Sequence, residues 1–219
     1  MNNLEEQIKL SRKVIIEMLQ DRGYNTEQCI PILPEQLFLR LWSKFTNESN
    51  VFDIECENKV GERIYVTYIK NHVISKKNNK TKYENLKKKH KILLGSQDLL
   101  FNDKIIYVIC DTKDEDIMKT YEDFNKQNRN VELFDINRLL INITKHSFVP
   151  KHIKMSIKDT IKLKHNLQID SIYKLPVISN TDPVARYYNL KRGDVVQIIR
   201  NSQSYGSHIS YRVCSDIEH

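Results

Sequence analysis

The spacing of hydrophobic and polar positions changes period several times along the chain. Leu4, Ile8, Ser11, Ile15 and Leu19 fall near one stripe at helical spacing, widened by Val14, Ile16 and Met18. This pattern predicts an amphipathic helix over Leu4–Arg22, and Gly23 stands where a left-handed C-cap belongs. Pro34 suits a first helical turn, with Leu37, Leu41 and Phe45 spaced by four along a second helix, Glu35–Phe45. Ile64 to Ile69 then reads as a strand of β-branched and aromatic residues. Lys104–Cys110 (KIIYVIC) is a nearly continuous apolar run, which predicts a strand buried on both faces. Between these strands the second half of Lys76–Lys91 reads as helical, and Asp111–Asn125 as a polar helix. Asn130–Phe134 is a further strand, and Asp135 is placed to N-cap a short helix over Ile136–Leu140. The alternation of strands and helices predicts an α/β domain over residues 1–142.

From residue 143 the pattern differs. Asn142–Pro150 reads as extended. Ser156 can N-cap a helix through Lys164, with Asp159 three residues on as a capping-box partner. Asp182 and Pro183 suit the N-cap and first position of a short helix ending near Tyr188. Asn189–Gly193 reads as a turn. Asp194–Arg200 and His208–Cys214 read as two strands around a connection holding Gly206. Residues 143–219 thus form a second, small α+β domain.

Charge sharpens this division. The chain of 219 residues has a formal charge of +7. Residues 1–142 carry 23 Lys and Arg against 22 Asp and Glu, and residues 143–219 carry 12 against 6. The basic excess therefore lies almost wholly in the second domain, where it suits either phosphate or an acidic protein surface. Within the first domain, Lys76–Lys91 holds eight lysines against the single acid Glu84; a solvated helix face is the simpler reading of such a run. No apolar run reaches the roughly 18 residues of a membrane span, and MNNLEEQIKL does not read as a secretory signal. These features predict an intracellular protein without a membrane partner. Cys29, Cys56, Cys110 and Cys214 form no CxxC pair, so scattered reduced thiols are expected in place of a zinc site.

Two segments carry candidate chemistry. Asp53, Glu55, Glu57 and Lys59 (DIECENK) could share one face by alternation, and such residues can hold Mg²⁺ and orient water for hydrolysis. The bland alternative is an acidic, solvated hairpin. The other segment is Thr181–Arg200 (TDPVARYYNLKRGDVVQIIR): a capped helical turn, a Gly-bearing turn, then a strand apolar on both faces. Arg186, Lys191, Arg192, Arg200 and Arg212 lie among Tyr187, Tyr188, Tyr205 and Tyr211. Arg with Tyr is typical of interface hot spots and of nucleic-acid surfaces alike. His146, His152 and His165 have no Cys or acid at ligand spacing, and no phosphate-loop, nucleophile-elbow or HExxH motif occurs.

The second segment closely resembles the C-terminal domain of the RNA polymerase subunit 5 family. The resemblance rests on Asp182–Tyr187 (DPVARY), Leu190–Gly193 (LKRG), Val195–Arg200 (VVQIIR) and Tyr211–Arg212 (YR), preceded by Leu139–Met155 (LLINITKHSFVPKHIKM). More faintly, Arg12–Asn25 (RKVIIEMLQDRGYN) resembles the family's first helix and turn. The long first domain is similar to the jaw domain of eukaryotic or viral-type members, which the family's archaeal counterpart lacks. In the family that domain has a restriction-endonuclease-like topology without nuclease activity.

The resemblance implies a non-catalytic subunit of a DNA-directed RNA polymerase, with no cofactor or metal of its own. The second domain would dock on the largest subunit, using Pro183, Arg186, Tyr187, Arg192, Gly193, Arg200, Tyr211 and Arg212 for docking or as its core. The jaw domain would support the downstream duplex. Where family members carry small residues and proline near DNA, this chain has the acidic Asp111–Asp116, so Lys76, Lys77, Lys80, Lys82, Lys87 and Lys88 become its DNA-proximal candidates. The partners implied are the other polymerase subunits and downstream DNA, not a second copy of this chain. The location implied is the nucleus for a cellular member, and the cytoplasm or virion for a viral one. Two other readings stay open: a free nucleic-acid-binding protein, and a metal-dependent nuclease.

Overall fold

In the computed structural model the described residues are 4–45, 51–70, 103–110, 130–202 and 206–216. The chain divides into two compact units, Met1–Ile141 and Asn142–His219.

In the first unit, helix α1 (Leu4–Asp21) buries Ile8, Ser11, Val14, Ile15, Ile16, Met18 and Leu19. The polar member of that stripe has a reason to be there. Ser11 Oγ bonds the Ile8 carbonyl at 3.1 Å and lies 3.1 Å from the hydroxyl of buried Tyr68, so neither hydroxyl is left unsatisfied in an apolar setting. Gly23, at φ +87°, ends the helix as its position suggests. Strand β1 (Tyr24–Asn25) follows, then helix α2 (Glu35–Phe45), β2 (Ile54–Asn58), β3 (Arg63–Lys70), β4 (Lys104–Cys110) and β5 (Val131–Asp135). They form one sheet in the order β1-β2-β3-β4-β5. The first three strands are antiparallel, whereas β4 and β5 continue the sheet in parallel.

The apolar run in β4 now has its cause. Ile105–Cys110 and all of β5 are buried, including residues of both parities, so both sheet faces are covered. Two charged contacts fix the sheet. Arg22 binds Glu132 through two bonds of 2.9 Å, joining the end of α1 to β5. Arg63 Nη2 binds Asp103 at 2.7 Å across the start of β3 and β4. Asp135 caps the 3-10 turn Ile136–Leu139 by accepting from the Asn137 amide.

Several sequence expectations shift. The buried stripe of α2 is Phe38 and Phe45, and Leu37 is exposed. The aromatic rings decide this: Phe52 packs on Phe38 at 5.3 Å and on Phe45 at 5.1 Å between centroids. The acidic segment DIECENK does lie in a hairpin with exposed acids, and that hairpin, β2–β3, is part of the sheet. Ile54–Asn58 of it is strand β2, with Ile54 and Cys56 buried and Glu55 and Glu57 outward. The helical readings within Lys76–Lys91 and over Asp111–Asn125 lie outside the described residues.

In the second unit the order is a 3-10 turn (Ile143–Lys145), β6 (Lys151–Lys154), α3 (Ile157–Asn166), a 3-10 turn (Ile172–Lys174), β7 (Val177–Ser179), α4 (Pro183–Tyr187), β8 (Val195–Ser202) and β9 (Gly206–Ser215). The sheet order is β6-β8-β9-β7, with β7 parallel to β9 and the other pairs antiparallel. The short edge strands β6 and β7 add to the two strands that the sequence predicts. Asn142–Lys145 is a capped turn, not extended chain, because Asn142 Oδ1 accepts from the Thr144 amide at 3.0 Å. Both sheet faces carry a core. Val196, Ile198, Cys214 and Ile178 pack with Ala185 and Leu190, while Val195 and Val213 pack with Leu163 and Leu175.

Candidate functional site

The DPVARY segment is a helix cap built in one place. Asp182 Oδ1 accepts from the Val184 amide at 2.8 Å and from the Ala185 amide at 3.3 Å, and Pro183 occupies the first turn. These bonds satisfy donors that a helix start leaves open. Ala185 is fully buried in the sheet core, so the cap aims the helix at the sheet. Tyr187 is buried too, and its hydroxyl accepts from Asn142 Nδ2 at 3.1 Å. That bond, with the turn capped by the same Asn142 side chain, anchors the start of the unit and places Asn142 within it. Tyr188 meets Tyr187 edge-on at 5.1 Å.

The LKRG segment is a turn stitched to β9. The Gly193 amide donates to the Cys214 carbonyl at 2.9 Å, and the Cys214 amide donates to the Asp194 carbonyl at 2.8 Å. Gly193 has φ +88°, where a side chain is strained, and a Cβ there would stand 3.3 Å from the Tyr173 hydroxyl. Asp194 Oδ2 accepts from the Lys191 amide and from Lys154 Nζ, both at 2.6 Å. Burial pushes the Cys214 thiol beneath this turn up to about 11, with Asp194 and Asp216 adding to the effect.

The sequence-selected residues therefore separate into groups. Tyr187 belongs to the interior, and Gly193 to the turn. Arg212 is half-buried and donates to the Val177 carbonyl at 3.1 Å, strapping β9 to β7. Arg192 is exposed, 3.8 Å from Asp216. Pro183 and Arg200 are exposed, while Arg186 and Tyr211 are partly covered. Of the lysines, Lys76, Lys77, Lys80, Lys82, Lys87 and Lys88 lie outside the described residues.

Strand register gives the far half of the β8–β9 hairpin two unlike faces. Ile199 pairs with Ile209 and Gln197 with Tyr211, and Ile153 of β6 pairs with Gln197. Paired residues share a face, so Ile153, Ile199, Ile209 and Tyr211 lie together. Ile153 and Ile209 are exposed, Ile209 by 46%. The opposite face holds Arg200 across from His208. On α3, Ile157 and Ile161 are 84% and 63% exposed and sit one turn apart. Only the strand over Val195–Arg200, apolar on both faces, is visible in the sequence; Ile153, Ile209, Ile157 and Ile161 come from other elements.

In the first unit the nuclease-like residues converge only in part. The Tyr65 hydroxyl donates to Asp53, and Glu55 lies 3.8 Å from Arg63. Glu55, Glu57 and Lys59 border an open cleft of about 530 Å³, and Asp53 is not among the residues lining it. Among the described residues no group of three or more His, Cys, Asp or Glu could hold a metal ion. No described helix is long and apolar enough to cross a membrane.

The second unit is therefore a small α+β domain whose sheet is set by a capped DPVARY turn and a KRG turn. Residues 141–214 match the family described as RNA polymerase Rpb5, C-terminal domain. The chain is 44% identical over 84 residues to subunit rpabc1 of DNA-directed RNA polymerases I, II and III of Dictyostelium discoideum, which covers 38% of this chain and 42% of that protein. It is 27% identical over 211 residues to subunit 5B of DNA-directed RNA polymerases IV and V of Arabidopsis thaliana, or 94% of this chain and 88% of that protein. The first match thus spans less than half of its relative and the second nearly all. Residues 141–214 carry the RNA polymerase Rpb5 C-terminal domain, and the chain is similar to RNA polymerase subunits in both comparisons.

Proposed function

We propose that this chain is a non-catalytic subunit of a multisubunit DNA-directed RNA polymerase, held to the largest subunit by its second domain. The observation that carries the docking reading is the far half of the β8–β9 hairpin. Ile153, Ile199, Ile209 and Tyr211 share a face that the unit's own core leaves partly open. An apolar centre with Tyr, beside an exposed Arg on the reverse face, is the composition of a protein interface. The basic excess of the domain then serves docking more than phosphate binding.

The first domain, in this reading, supports the downstream duplex. Its mixed sheet flanked by α1 agrees with a restriction-endonuclease-like topology, and the lysines from Lys76 to Lys88 are the candidates to face DNA. Nucleotidyl transfer belongs to the large subunits, since Asp53 is engaged by Tyr65 and set apart from the cleft bordered by Glu57 and Lys59. A cellular member would work in the nucleus, and a viral one in the cytoplasm or virion.

Co-expression with the largest subunit tests docking. Arg200→Glu and Ile209→Asp, both at exposed positions, are expected to lower co-purification at least about tenfold together, as loss of a hot spot worth about 2 kcal/mol would. Arg212→Glu should do the same but also breaks the strap to β7, so it is the less clean variant. Co-purification unchanged in the first pair would remove the far half of the hairpin from the interface. Incubation of the purified chain with plasmid and Mg²⁺ decides the nuclease alternative: cleavage that disappears in Asp53→Ala would establish it.

A further inference from the structure

Cys29 and Cys56 stand 27 residues apart in sequence, yet their sulfurs lie 3.1 Å apart. Topology produces this approach. Strand β1 is only two residues long and pairs with Glu57 and Asn58 of β2. Beyond Asn25 the chain no longer follows β2 as a strand but turns over its edge, with the Cys29 amide bonded to the Thr26 carbonyl at 2.9 Å. Cys29 Sγ also lies 3.9 Å from the Glu55 carbonyl. The loop from residue 26 to residue 34 is therefore laid against the edge of the sheet at the position of this thiol pair.

The two sulfurs differ in setting. Cys56 is buried and Cys29 is half-open to solvent. Burial, and then the bond to Cys29, pushes the Cys56 thiol up to about 12, so Cys56 keeps its proton and can donate it toward Cys29. Arg12 lies close enough that its charge acts on both sulfurs. Its guanidinium donates to the Ile30 carbonyl in the loop and to the Phe52 carbonyl just before β2, both at 3.0 Å. It thereby ties together the two segments that carry the thiols.

We propose that Cys29 and Cys56 form a redox modification site, a dithiol that small disulfides of the glutathione class convert to an intramolecular disulfide. The Cys29 thiolate attacks one sulfur of the oxidised small disulfide, forming a mixed disulfide and releasing one thiolate. Cys56 then attacks the Cys29 sulfur, the mixed disulfide breaks, and the second small thiolate leaves. The protons of the two cysteines go to the two released thiolates, so one protein disulfide and two small thiols result. The sulfurs must close by about 1 Å to reach a disulfide bond of about 2.05 Å. Movement of the half-exposed loop supplies that distance without disturbing β2. The bridge would staple the loop to the sheet edge.

The test uses the full chain, first reduced, then equilibrated in mixtures of reduced and oxidised glutathione, acid-quenched, alkylated and peptide-mapped. The expected product joins the Cys29 and Cys56 peptides, while Cys110 and Cys214 are recovered as alkylated thiols. The joined product should vanish in Cys29→Ser, a change at a half-exposed position. Oxidation should also raise the thermal midpoint by roughly 5–10 °C, as a bridge closing a loop of this length would. Three outcomes would overturn the proposal: a pair still reduced in excess oxidised glutathione, oxidation that stops at a Cys29–glutathione mixed disulfide, or a midpoint that falls on oxidation.

Discussion

The two sheets of this chain solve the same problem at different scales. The first is a five-stranded sheet whose strands β4 and β5 are buried on both faces, and its unit holds the largest fully buried side chains, among them Tyr68, Tyr107, Phe38, Phe45 and Phe52. The second has four strands, two of them short edges, and its long hairpin runs past its own core. A large core tolerates many apolar residues of suitable volume. A small one depends more on single backbone devices: the Asp182 cap, the Asn142–Tyr187 bond and the left-handed Gly193. This difference accounts for where family likeness is most visible in the sequence. Caps and turns demand particular residue types at fixed spacing, whereas an inner strand such as KIIYVIC asks only for apolar bulk.

The comparison is broken most severely where the first unit also depends on a single device. Arg22 and Glu132 form a paired contact with side chains only 6% and 8% exposed. Arg22→Ala strands a buried carboxylate, and a loss of about 3–5 kcal/mol is expected. Urea unfolding measures it. The double change Arg22→Met with Glu132→Leu should restore most of that loss, since it leaves no buried charge. A single change costing under about 1 kcal/mol would mean that the first unit rests on bulk packing alone.

In the second unit, Gly193→Ala carries the next largest effect, about 1–2 kcal/mol from left-handed strain. The strain can be told apart from the close approach to Tyr173. That tyrosine is exposed, so its ring can swing away. Adding Tyr173→Phe to Gly193→Ala should therefore recover little stability in thermal melts. Full recovery would make steric contact, not backbone conformation, the reason for glycine here.

The same contrast marks what the sequence made legible. Helix α1, strands β3, β4 and β5, and the caps at Asp135, Ser156 and Asp182 all follow from local periodicity or local chemistry. Ser11 fell on the apolar stripe without a visible reason, because its partner Tyr68 is brought to it only by folding. Strand β2 was obscured by its carboxylates, although Ile54 and Cys56 alternate with Glu55 and Glu57 as a half-buried strand requires. Strands β6 and β7 are three or four residues long and take their conformation from β8 and β9. The docking face beyond β8 and the Cys29–Cys56 contact join segments distant in sequence, and no local pattern announces them.

Alkaline pH gives the mildest and most selective way to sharpen the comparison. Burial raises the thiol of Cys56 from its usual 9.0 to about 12, and it raises the hydroxyls of Tyr24, Tyr68 and Tyr107 above their usual 10.0. All four belong to the first unit. In the second, Cys214 is shifted this way, from 9.0 to about 11. Each fold thus holds a proton that the unfolded chain releases earlier. The stabilising effect is complete below about pH 9 and is lost as pH rises through the folded values. With reductant present, the denaturation midpoint of the first unit should fall more steeply between about pH 9 and pH 11 than that of the second, and both should be flat near neutrality. Tyrosinate absorbance and near-ultraviolet circular dichroism follow the two processes together. Equal slopes in the two units would mean that the buried phenols of the first are already reached by hydroxide in the folded state, and that its core is no tighter than that of the smaller sheet.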